Sequence, residues 1–156
     1  MVEAFELKVD KWTFHVPKDL FYIENDCWAR FEGDTAKVGI TDFLQNMIGD
    51  IVFVNFLKVG SEVEQFDEIA DFESVKSVLD VLSPVSGTIE SVNEKLREAP
   101  ELANKDPYGE GWFVSIKLAN PDADKENLIT AEGYLEVLKK KLEMERKKRG
   151  ITSQIV

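Results

Sequence analysis

Residues 69–93 read IADFESVKSVLDVLSPVSGTIESVN, and the rest of the chain is organised around the lysine at their centre. Phe66, Ile69, Phe72 and Val75 approach Lys76, and Val78, Leu79, Val81, Leu82 and Val85 leave it, so both arms of the segment can pack on a core. The polar tip Glu73-Ser74-Val75-Lys76-Ser77 lies between them, which predicts a hairpin that presents one lysine. Packed arms fix where the lysine backbone points, while its long side chain stays in water. Ser83-Pro84 and Ser86-Gly87 then interrupt the returning strand. Proline lacks a ladder donor and glycine admits backbone angles closed to other residues, so a bend or bulge is expected there.

Outward from the hairpin, the chain has the size of one domain, and 44% hydrophobic residues suffice for a core. Thirty acidic against 19 basic residues give a net charge of −11, which disfavours nucleic acid and anionic lipid and favours partners with basic surfaces. The charge is uneven, because KKKLEMERKKR (139–149) carries +5 and the remainder −16. One cysteine, Cys27, excludes an intrachain disulfide framework and fits a reducing compartment. With one histidine, His15, no zinc site of Cys/His type can be assembled. No stretch has the length of a membrane span, and MVEAFELKVDK is neither a signal peptide nor an Arg-rich transit sequence, so a cytoplasmic protein is expected.

In the first 20 residues Phe5, Leu7 and Val9, then Trp12, Phe14 and Val16, alternate with polar residues. Two short strands around Asp10-Lys11, or a single bulged strand, would explain this, and the extension is expected to add an edge to the domain or to form a partner surface. Residues 21–40 read as two strands joined by Glu32-Gly33-Asp34. Thr41 is a candidate N-cap for a helix over 42–48 that Gly49 ends. The run Ile51 to Val54 predicts a strand covered on both faces, and Gly60 introduces the next. Asn93 is a candidate cap for a helical turn over 94–98 stopped by Pro100, residues 104–111 form a loop, and 112–118 a final strand. Residues 124–149 are helical by period, with Leu128, Ala131, Leu135, Leu138 and Leu142 as the apolar stripe. Gly133 weakens that helix by roughly 1 kcal/mol relative to alanine. The basic end complements the helix dipole, either as a solvated terminus or as a dock for an acidic partner.

The segment FESVKSVLDVLSPVSG resembles the lipoyl-attachment segment of the glycine cleavage system H proteins, and the resemblance extends through VGITDFLQNMIGDIVFV (38–54), VGSEV (59–63) and PELANKDPYGEGW (100–112). These four collinear blocks cover roughly residues 20–138. The resemblance implies a mainly β fold, the barrel-sandwich hybrid of lipoyl and biotinyl carriers, with short helices and a C-terminal helix. The expected organisation is an N-terminal β extension over 1–20, a carrier sandwich over 21–123, and a C-terminal helix and tail over 124–156.

It further implies lipoate on Lys76, with Glu73 and Gly87, three before and eleven after the lysine, read by the modifying enzyme. Biotin carriers flank their lysine with methionines and lipoyl domains of 2-oxo acid dehydrogenases use Asp-Lys-Ala, whereas Val75 and Ser77 stand here. Such a carrier has no catalytic residue of its own, and its arm serves glycine decarboxylase, aminomethyltransferase and dihydrolipoyl dehydrogenase after loading by a lipoate ligase or lipoyltransferase. A monomer is expected.

Two departures from the family bear on the cargo rather than on lipoylation. Its His-Glu before the first tryptophan is replaced by Asn25-Asp26-Cys27-Trp28, so a thiol stands where a carboxylate would line the groove for the charged arm. Its Glu-Leu-Pro is replaced by Asn55-Phe56-Leu57. Asp80, with Asp26 as a partial substitute and Cys27, completes the expected arm groove. Cys27 is either a small core residue or a thiol that forms a mixed disulfide with the dithiolane, a hypothesis that a Cys27→Ser variant with unchanged arm reactivity would sink. The alternatives to a glycine-cleavage carrier are an H-like protein carrying sulfur intermediates or electrons for a heterodisulfide-reductase-like complex, a lipoyl-relay protein, and an unmodified scaffold.

Overall fold

The computed structural model describes residues 3–150. The ends of the two terminal segments expected above, residues 1–2 and 151–156, lie outside the described residues. β1 (Ala4–Val9) and β2 (Trp12–Pro17) pair antiparallel around a two-residue turn, with Val9 opposite Trp12. Asp10 takes φ 55°, a left-handed conformation that aspartate tolerates better than most residues, so the turn closes without glycine. The pair forms a sheet of its own and does not extend the edge of another.

β3 (Phe21–Tyr22), β4 (Cys27–Glu32) and β5 (Thr35–Ile40) follow, the last two joined at Gly33 with φ 66°. Thr41 caps α1 (Asp42–Ile48) by accepting from the Leu44 N–H at 3.3 Å, and Gly49 at φ 77° ends it. Next come β6 (Ile51–Phe56), β7 (Glu62–Val63), β8 (Glu68–Ser74), β9 (Val78–Leu82) and β10 (Gly87–Val92). α2 (Lys95–Glu98) and α3 (Leu102–Lys105) lead to β11 (Val114–Leu118), α4 (Pro121–Lys125) and α5 (Ala131–Lys148). A six-stranded sheet in the order β3-β4-β5-β11-β10-β7 and a three-stranded sheet β6-β8-β9 enclose a core that includes Val38, Ile51, Ile69, Phe72, Ile89 and Ile116. A second apolar cluster joins Leu7, Phe14 and Val16 of the N-terminal pair to Tyr22, Trp28, Phe43 and the α5 residues Tyr134, Leu138 and Leu142.

Several expectations are corrected. β6 is covered on one side only: Ile51 and Val54 are buried, but Val52 and Phe53 are 56% and 55% exposed. A bulge between Ile51 and Phe53 breaks the alternation, and β6 is an edge strand. Phe66, Val75 and Val78, assigned above to packed arms, are also largely exposed. The loop expected over 104–111 starts two residues later, at Asp106, because Asn104 and Lys105 belong to α3. The long helix begins at Ala131 rather than at 124. Ile129 is held extended by reciprocal backbone hydrogen bonds with Tyr22 at 2.8 Å, so the helix can start only after Thr130, which caps it. Its buried face is Ala131, Tyr134, Leu138, Leu142 and Arg146, with Leu135 at the margin.

Candidate functional site: the Lys76 hairpin

β8 and β9 form the hairpin, with Glu73 opposite Val78 and Val75-Lys76-Ser77 between the strands. Ser74 stitches the turn. Its N–H donates to the Ser77 carbonyl at 2.8 Å, and its Oγ accepts from the N–H groups of Lys76 (3.2 Å) and Ser77 (3.1 Å). The Val75 N–H donates to the Asp50 carbonyl at 3.0 Å, tying the tip to the chain leaving α1. Gly49 makes room for this contact, since a Cβ there would stand 2.9 Å from Val75 Cγ2. The tip backbone is therefore pinned from two sides, while the Lys76 side chain is exposed. Lys76 is also the one basic residue between Lys58 and Lys95.

Cross-strand register sets its surroundings. Phe53, Glu73 and Val78 are successive partners across β6, β8 and β9, so their side chains share the outer face of that sheet. The next row on the same face is Asn55, Asp71 and Asp80. The Asp80 charge raises the carboxyl pKa of Glu68 on the neighbouring strand, so the face behind the tip is an acidic band.

The other residues singled out in the sequence lie elsewhere. Gly87 is on β10 in the six-stranded sheet, where a Cβ would lie 1.9 Å from the Lys117 carbonyl oxygen, so close strand packing already requires glycine there. Cys27 is fully buried, and burial pushes its thiol from 9.0 up to about 12. It occupies the core position of the two expected. Asp26 is 6% exposed, with φ 70°, and its carboxylate turns toward α5. Tyr134 Oη donates to Asp26 Oδ1 at 2.8 Å and Lys141 Nζ to Oδ2 at 2.8 Å, and Lys141 also donates to the Glu24 carbonyl. Burial raises the Asp26 pKa, and Lys141 opposes that shift.

A cleft of about 490 Å³ opens between this turn, Leu82, Phe66 and Ile129, with Ile23, Glu24 and Asn25 on one wall. Asn25 Oδ1 is buried without a hydrogen-bond partner. The cleft lies at the Leu82 end of β9, four residues or about 13 Å of strand from Val78 beside the lysine. The structure thus brings Lys76, Glu73 and Asp80 onto one hairpin, and separates from them Gly87, Asp26 and Cys27. Sequence reasoning passed over Asn25, Phe53, Tyr134 and Lys141. Of these only Tyr134 carried a signal, its 3-4 spacing from Ala131 and Leu138.

Residues 20–141 match the family model of the glycine cleavage H-protein. The chain belongs to that family. A probable glycine cleavage system H protein of Aeropyrum pernix is 45% identical over 141 residues, which span 90% of this chain and 98% of that one. A glycine cleavage system H protein of Thermus thermophilus is 48% identical over 123 residues, 79% of this chain and 95% of that one. The crystal structure of an H protein from Mycobacterium marinum superposes with a TM-score of 0.67 at 32% identity, covering 76% of this chain and 95% of the other. The barrel-sandwich fold expected from the resemblance is thereby established. In this H-family chain the segments outside the matched region pack on each other: Arg146 of α5 donates to the Asp10 carboxylate at 2.9 Å, and the Arg149 guanidinium lies 4.8 Å over the Trp12 ring.

Proposed function

We propose that the chain is the lipoyl carrier of a glycine cleavage system, with lipoate joined to Lys76 and the aminomethyl group of glycine passed among glycine decarboxylase, aminomethyltransferase and dihydrolipoyl dehydrogenase. The observation that carries the reading is Lys76 itself: a lone exposed lysine on a backbone-pinned turn, inside the segment matched by the H-protein family. In loading, the deprotonated Lys76 Nζ forms an amide with a lipoyl carboxyl that arrives activated, as an adenylate from a lipoate ligase or as a thioester for a lipoyltransferase, and AMP or the thiol leaves. Once bound, the dithiolane supplies the disulfide exchange chemistry. After loading, in which Lys76 Nζ is the nucleophile, the chain's own residues present the arm.

Of the expected groove residues Asp80, Asp26 and Cys27, we keep Asp80. Asp26 is committed to Lys141, and Cys27 is sealed in the core. Asn25 lines the cleft, and its unpartnered Oδ1 is buried rather than open to it. Asp80 flanks the path along β9 between lysine and cleft. Glu73 and Gly87 remain the candidate marks for the modifying enzyme, Glu73 by direct contact and Gly87 by the strand packing that it permits. The sulfur-carrier alternative draws nothing from Cys27, whose thiol is closed to solvent, and the relatives above are named for glycine cleavage.

The test is the mass of the Lys76 peptide after lipoylation, with the dithiolane kept as its disulfide, and incubation with labelled glycine and a glycine decarboxylase. Decarboxylation breaks the S–S bond, one sulfur taking the aminomethyl carbon and the other becoming a thiol. A labelled aminomethyl adduct, absent from Lys76→Ala, is expected. A lipoylated peptide that takes no label beside a working control H protein would overturn the glycine role, and a Lys76 that never accepts lipoate would overturn the carrier itself.

A further inference from the structure

Of the eight exposed large hydrophobic side chains among the described residues, four border the lysine. Val52, Phe53, Val75 and Val78 are 56%, 55%, 66% and 67% exposed, and all stand on the hairpin tip or on the strand and bulge beside it. The fold would lose nothing by polar residues at these positions, since none is needed to close the core. Bulged β6 turns two consecutive apolar residues outward, and that costs regular pairing. Behind this cap, Asp71, Asp80 and Glu68 supply only negative charge, and β6, β8 and β9 contain no basic residue. An apolar centre with a rim of one sign is the composition of a recognition surface rather than of an ordinary solvated face.

Enzymes that act at the far end of a long arm can work at a distance from the tip. An enzyme that acylates Nζ itself must enclose the lysine and so must touch the residues beside it. We propose that Phe53 and Val78, flanking Glu73 in one row and bordered by Val52 and Val75, form the docking surface for the enzyme that acylates Lys76. That partner bears an apolar recess for Phe53 and Val78, rimmed by basic side chains opposite Glu73 and Asp71. The inference rests on the lipoyl reading, and it identifies which surface that modification requires.

Full-length unmodified chain is loaded by a lipoate ligase with lipoate and ATP, followed by intact mass, for the wild type and for Phe53→Ser, Val78→Ser, Asp71→Lys and Met144→Ser. Met144 is 63% exposed on α5, away from the hairpin, and serves as the control. Phe53→Ser and Val78→Ser are each expected to raise KM about ten-fold with kcat unchanged, the loss of a well-buried apolar contact in the complex. Asp71→Lys raises KM most at low salt and flattens its salt dependence. Met144→Ser loads like wild type. Variants that load with the wild-type KM overturn the proposal. Normal loading with impaired transfer from labelled glycine also overturns it, assigning the surface to the decarboxylase instead. A wild-type chain that takes no lipoate overturns the lipoyl reading and this inference together, an outcome distinct from both.

Discussion

A thiol whose pKa is pushed from 9.0 to about 12 is chemically silent near neutrality, and that decides how position 27 behaves. Cys27 in the native chain is expected to resist iodoacetamide at pH 8 until the chain unfolds, with labelling followed by mass across a urea gradient. The same shift sets a pH dependence. An unfolded chain releases this proton near pH 9 and the native chain near 12, so the stabilisation is present below 9 and lost as pH rises between those values. Denaturation midpoints of wild type and Cys27→Ala should therefore converge over that window. Gly87→Ala is expected to destabilise by on the order of 3 kcal/mol, because its Cβ would meet the Lys117 carbonyl oxygen and no flexible side chain can yield. Lys76 was legible in the sequence because four collinear blocks resembling the H family surround it, whereas a lone lysine in a turn is by itself an ordinary surface residue. The orientation of Cys27 was not, because Cys27 and Trp28 are both buried, one in each apolar cluster, and alternation is silent in a strand covered on both faces.

At the scale of elements, α5 does more than cover an apolar surface. Tyr134 Oη reaches both Thr41 Oγ1 and Asp26 Oδ1 at 2.8 Å, linking the helix, the cap of α1 and the turn beside the cleft. Tyr134→Phe is expected to cost about 1–3 kcal/mol in urea denaturation, since two buried polar groups lose a shared partner. Arg146→Ala should cost a similar amount, about 2 kcal/mol, by stripping the partly buried Asp10 carboxylate of its partner, and Asp10→Asn should rescue part of it. The helix itself was readable from its period. That its basic end folds back onto the N-terminal strands was not, because a run of lysines and arginines looks solvated until the acid that meets one of them is brought from the opposite end of the chain. β6 misled for a related reason: a continuous apolar run signals burial, and nothing local says that a bulge will turn half of it outward.

For the whole molecule, two apolar clusters share strand β4, and the second takes Leu7, Val9, Phe14, Val16 and Leu142 from segments that flank the H-protein match. Deleting residues 1–19 would uncover the face of α5 that meets Phe14 and Val16, at a cost on the order of 5 kcal/mol in lost burial. The truncated chain is expected to melt at lower temperature while keeping its lipoylation rate, since the hairpin belongs to the other cluster. No helix among the described residues is long and apolar enough to cross a membrane. The isolation of Lys76 among acids has an electrical consequence. An acylated lysine carries no charge, so loading takes away the only cation between Lys58 and Lys95 and lowers the formal net charge of −11 by one more unit. Loaded and unloaded chains should then separate as two bands on a native gel, the loaded one moving further toward the anode, and the occupancy of the arm can be read from mobility alone.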